Sequence, residues 1–105
     1  MIRVNYLRNE THHRLAVMGH AGYDDTGRDI VCAGISSITC ALMNFLTNRT
    51  ENAVEEVHAG RGEANIVCRR NDLADTAFDV AMFGYLQTHQ EFPRNVEVYI
   101  ASNGG

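Results

Sequence analysis

Five short stretches of this chain alternate apolar and polar residues at period two, and two longer ones repeat apolar residues at helical spacing. Ile2, Val4 and Tyr6 set against Arg3, Asn5 and Arg8 read as a first strand. After the turn Asn9-Glu10-Thr11, Arg14 to His20 reads as a second, with Leu15 and Val17 on one face and Ala16, Met18 and His20 on the other. The two are expected to form a hairpin. From a cap at Asp29, Val31, Ile35, Ile38, Leu42 and Phe45 or Leu46 recur at helical spacing to about Asn48. Ala53 to His58 and Glu63 to Arg69 then read as strands joined by the hairpin signal Ala59-Gly60-Arg61-Gly62. A second helix begins at Asn71 or Asp72, with Ala74, Ala77, Phe78, Ala81, Met82, Tyr85 and Leu86 as its apolar stripe. Beyond Pro93, the alternating Val96, Val98 and Ile100 make a last strand. The order ββαββαβ predicts an α/β two-layer sandwich, two amphipathic helices packed on a mostly antiparallel sheet, in a single domain over residues 1–105.

Composition bounds the function more than the fold. With 45% apolar and 21% charged residues, the chain can build a core without metal or disulfide staples. Thirteen carboxylates against nine Arg leave a net charge of −4, which argues against a nucleic-acid clamp and suits a basic partner better. The start, Met1-Ile2-Arg3-Val4-Asn5-Tyr6, lacks the apolar core of a signal peptide, and no apolar run is expected to span a membrane. Three Cys without metal-clip spacing are then expected as free thiols in a cytoplasmic protein. No cofactor and no metal is implied.

Chemistry concentrates between His20 and Cys32. A strand ends on His20, a Gly- and Asp-bearing loop follows, and Cys32 falls in the first turn of a helix capped by Asp29. Unsatisfied N–H groups and the helix dipole favour a thiolate there, while the Asp29 carboxylate opposes it; the distances decide the balance. His20 at the strand end is placed to pair with that thiol. A Cys among Ile30, Val31, Ala33 and Ile35 also fits a small buried hydrophobe.

Other readings fail on residue type. A phosphate-cradling Cys-x5-Arg loop needs an Arg where Ile38, Leu46 and Ala74 stand after Cys32, Cys40 and Cys68. The P-loop look-alike from Gly22 to Asp29 has Arg28 for the Lys and Asp29 for the hydroxyl residue. Gly34-Ile35-Ser36-Ser37-Ile38 lacks the second Gly of a serine elbow. Cys40 sits roughly 12 Å up the helix from Cys32, too far for a disulfide, and is expected in the core with Cys68. His12, His13, His58 and His89 are expected to be solvated.

The triplet Gly19-His20-Ala21, followed by Gly27-Arg28-Asp29-Ile30-Val31-Cys32-Ala33-Gly34-Ile35-Ser36, resembles the ribosomal-processing cysteine protease family, Prp. Chain length and element order agree with it. The resemblance implies a bacterial cytosolic enzyme, typically homodimeric, that removes an N-terminal extension from a large-subunit ribosomal protein after an aromatic residue. It places Cys32 as nucleophile and His20 as general base and acid, with Asp29 and Ser36 in support. Residues Ala21, Gly22, Tyr23, Asp24, Asp25, Thr26, Gly27 and Arg28 would form a mobile substrate loop, and helix-start N–H groups would hold the oxyanion. The competing class is a non-catalytic, ribosome-associated assembly or binding domain with a buried cysteine. Selective alkylation of Cys32 would separate the two.

Overall fold

The computed structural model describes residues 1–25 and 27–102. Period-two alternation yields strands β1 (Ile2–Arg8), β2 (His12–Met18), β3 (Val54–Gly60), β4 (Glu63–Arg69) and β5 (Val96–Ser102). Helical spacing yields α1 (Ile30–Arg49) and α2 (Asp72–Glu91), and a short 3-10 helix, Glu51–Ala53, follows α1. The ββαββαβ order and the two-layer architecture are as the sequence predicts. The sheet runs β3-β4-β2-β1-β5, antiparallel except where β5 lies parallel to β1, pairing Val96 with Ile2.

Alternation decides which face is covered. Ile2, Val4, Tyr6, Leu15, Val17, Ala64, Ile66, Cys68 and Val96 are buried under the helices. Against them α1 lays Val31, Ile35, Leu42, Met43 and Leu46, and α2 lays Ala74, Phe78, Ala81, Met82 and Tyr85. Burying a Phe or Leu side chain of this kind contributes about 1.5–3 kcal/mol. Where Thr39 and Tyr85 meet inside the core, their hydroxyls are 2.6 Å apart. That bond satisfies two polar groups that would otherwise be costly to bury.

Two expectations need correction. By length and composition α1 is apolar enough to cross a membrane, with a mean hydropathy of 1.8. Its polar residues are Ser, Thr and Asn, and Arg49 at its end is its one charged residue. Here it packs along the sheet with a face buried in the core.

His13, expected in solvent, is 0% exposed. The β2 alternation puts it on the inner face beside Leu15 and Val17. There the Tyr6 hydroxyl lies 2.6 Å from its Nδ1 and the Asp75 Oδ1 2.7 Å from its Nε2. Phe78 stacks on its ring at 4.2 Å, and Arg70 holds the same carboxylate. Burial pushes the His13 imidazole below its ordinary pKa, with the Asp75 bond working against that shift. At Asp75, the Arg70 bond chiefly holds the carboxyl below the usual carboxylate range. This network occupies the end of the sheet opposite His20, where β2 begins and α2 starts.

Candidate active site

The other end of the sheet gathers the close of β2, the start of β1, the β3–β4 turn and the first turn of α1. Asp29 organises it. With φ −79° and ψ 101° it stands just outside the helix, and its Oδ1 accepts the N–H of Val31 at 3.0 Å and of Cys32 at 2.9 Å. Its Oδ2 accepts the N–H of Tyr23 at 3.0 Å and of Asp24 at 3.3 Å. One carboxylate therefore caps the helix and closes the preceding loop on itself. Burial disfavours its charge, but the four N–H donors outweigh that and hold the carboxyl below its usual range.

Cys32 is the third residue of α1 and half-buried. Its Sγ accepts a hydrogen bond from the Ala21 N–H at 3.2 Å. Three of the helix-start N–H groups expected to hold an oxyanion are already engaged. Asp29 takes those of Val31 and Cys32 with its carboxylate and that of Ala33 with its carbonyl, at 3.1 Å.

His20 is exposed and stands beside the second hairpin rather than hydrogen-bonded to the sulfur. Gly19, at φ +100°, donates its N–H to the Gly62 carbonyl at 2.9 Å. The His20 ring then lies over Gly62, where a Cβ would come within 2.8 Å of Nε2 and 3.0 Å of Cε1. Gly62 has φ +73°, so a turn glycine doubles as the seat of the imidazole.

His20, Cys32 and Ser36 line one cleft of about 160 Å³. Its apolar floor is Ile2, Val17, Ile35, Met43 and Ala64, and its far wall is Gly60, Gly62 and Glu63. Cys40 lines the cleft as well and is exposed, contrary to the core position expected for it. Steps of four residues carry Cys32, Ser36 and Cys40 up the cleft-facing side of α1. Cys68 is buried, as expected.

Of the expected loop, Ala21 is buried, while Gly22, Tyr23, Asp24, Asp25, Gly27 and Arg28 are exposed. Thr26 lies outside the described residues. Tyr23 meets Phe92 edge-on with centroids 5.3 Å apart, Arg28 closes a turn onto the Asp25 carbonyl, and Asn95 Nδ2 donates to the Ala21 carbonyl at 3.0 Å. Gly62, Phe92 and Asn95 carry no local sequence signal for such contacts.

A family model described as Cysteine protease Prp matches residues 1–97. The chain belongs to the cysteine protease Prp family. It is therefore a cysteine protease, and the expectation of an enzyme over a non-catalytic binding domain is borne out.

Solved structures agree on the fold. The S. aureus ribosomal processing protease Prp with a covalently linked product peptide superposes with a TM-score of 0.82 at 23% identity, over 95% of this chain and 99% of that one. The same S. aureus protease with a substrate peptide gives 0.70 at 20% identity, again over 95% and 99%. SMU.848 from Streptococcus mutans gives 0.75 at 21% identity, over 97% of this chain and 95% of that one. No curated protein matches the sequence.

Proposed function

We propose that this single-domain protein is an endopeptidase that removes the N-terminal extension of a large-subunit ribosomal protein, with Cys32 as nucleophile and His20 as general base and acid. The observation that carries the proposal is the shared cleft. A sulfur at a helix start, facing the Ala21 N–H at 3.2 Å, opens with His20 onto a space of about 160 Å³. The apolar floor of the cleft, Ile2, Val17, Ile35, Met43 and Ala64, suits the aromatic residue after which cleavage is proposed.

The chemistry follows from these groups. The Cys32 thiolate adds to the scissile carbonyl carbon, and the C–N bond breaks as the tetrahedral adduct collapses. His20, protonated by the thiol, gives its proton to the departing amine. It then takes a proton from water, which cleaves the thioester and frees the carboxylate product and Sγ. Asp29 supports the reaction by fixing the helix start and the loop that runs over the substrate. Ser36, one turn from Cys32 in the cleft wall, supports the bound peptide.

The proposed setting is the bacterial cytoplasm, and the proposed assembly is a homodimer. Support for self-association comes from the outer helical face, where Val80 and Phe45 are 67% and 38% exposed around a groove also lined by Ile38, Ala41 and Gly84. The groove and its apolar knobs carry no charge, and a twofold interface needs both on one patch. Sedimentation of Val80→Asp as a monomer, beside a dimeric wild type, is the expected result.

The proteolytic reading is tested with a peptide spanning the extension and the mature start of that ribosomal protein. Mass spectrometry should find a single cut after an aromatic residue, lost when that residue is changed to Ala. Cleavage indifferent to that change would refute the role given to the cleft.

A further inference from the structure

We infer that Asn95, in the turn before β5, is a positioning residue that holds the Ala21 peptide so that its N–H serves the reacting centre. The inference deepens the proposed protease reading and rests on it. Four observations make the chain of contacts. Ala21 follows directly on His20, is 3% exposed, and aims its N–H at Cys32 Sγ from 3.2 Å. Its carbonyl is held from the opposite side by Asn95 Nδ2 at 3.0 Å. Asn95 is itself fixed at both backbone groups, accepting the Ile2 N–H at 2.9 Å and donating to the Phe92 carbonyl at 3.0 Å. Finally, the helix-start donors of Val31, Cys32 and Ala33 are all committed to Asp29.

Among the described residues this leaves the Ala21 N–H as the backbone donor hydrogen-bonded to the sulfur. As the S–C bond forms, negative charge passes from Sγ to the carbonyl oxygen attached to the attacked carbon. A donor already directed at the sulfur needs only a small shift to follow that charge. A fixed donor costs no reorganisation at that moment, which is why the side chain gripping the Ala21 carbonyl matters. Nothing near Asn95 in the sequence signals the contact, since it joins residues 74 positions apart.

The test compares wild type with Asn95→Ala and Asn95→Asp. Iodoacetamide alkylation at neutral pH, followed at the Cys32 peptide by mass spectrometry, reports the sulfur without any protein substrate. Loss of one neutral hydrogen bond should slow Cys32 alkylation about three- to tenfold and lower kcat by a similar factor, with KM little changed. Asn95→Asp keeps the volume and the backbone bonds but turns a carboxylate oxygen toward the Ala21 carbonyl, so it should be slowed at least as much. Alkylation of Cys40, and the alkylation of all three proteins in urea, should stay equal. Wild-type alkylation rates in both variants would overturn the inference, and so would a loss that appears only as a lowered Tm or a raised KM. If wild type alkylates fast at Cys32 yet leaves the ribosomal extension uncut, the substrate assignment fails while the role of Asn95 still stands or falls on the alkylation rates.

Discussion

Asp29 is bound to two structures at once, and replacing it in two ways separates them. Asp29→Ala removes both the helix cap on Val31 and Cys32 and the clamp on Tyr23 and Asp24. Loss of an Asp cap costs about 0.5–2 kcal/mol. The clamp bonds are charge-assisted, worth about 1.5–3 kcal/mol each when water is excluded. Tyr23 and Asp24 are exposed, however, so water replaces much of that part. The expected global loss is therefore about 1–2 kcal/mol, a fall in Tm of about 4–12 °C for a domain of this size.

Asp29→Asn keeps one acceptor oxygen for the helix, and Asn is as good a cap as Asp. Its amide NH2 would meet the loop N–H groups, donor against donor, so the clamp is lost and the cap kept. Thermal unfolding should place Asn within about 1 kcal/mol of wild type, while limited proteolysis cuts the loop faster in both variants. Asp29→Ala melting with wild type, or Asp29→Asn costing as much as Ala, would refute this division of labour.

Replacing His20 with Ala should lower kcat by roughly 10²–10⁴, the range of general acid–base catalysis, with little change in Tm; equal turnover would make His20 structural. Gly62→Ala adds left-handed strain of about 1–2 kcal/mol to a Cβ collision with the His20 ring. Gly62→Asn tolerates that backbone better and isolates the collision, so a folded Asn variant with reduced kcat supports the seat for His20, and full activity refutes it. His13 makes stability depend on pH: its depressed pKa means the unfolded chain takes up the proton first, so Tm should fall as pH drops below about 6.5. In His13→Gln that slope should flatten; an unchanged slope would assign it to another group.

The order of elements was legible because each strand and helix carries its own period, and the Asp29 cap because capping is local. Cys32 in the first turn followed from that cap. What escaped the sequence is what tertiary pairing creates. His13 shares the alternation of Leu15 and Val17, so its inward direction was readable, yet the partners that make burial tolerable come from β1 and α2. Cys40 follows helical spacing into the cleft rather than the core because the sheet covers only part of α1. Gly62 and Asn95 look like turn residues, and they are; their second role arises because both turns close on the end of β2. The Val31, Cys32 and Ala33 N–H groups are taken by the cap itself, through its Oδ1 and its carbonyl, while Oδ2 clamps the loop.

The most direct measurement is cleavage of a ribosomal protein carrying its N-terminal extension by wild type and Cys32→Ala in parallel, with circular dichroism to show both are folded. Wild type should remove the extension, and Cys32→Ala should leave it intact at equal enzyme concentration. Removal by a folded Cys32→Ala would contradict the role of Cys32 as nucleophile.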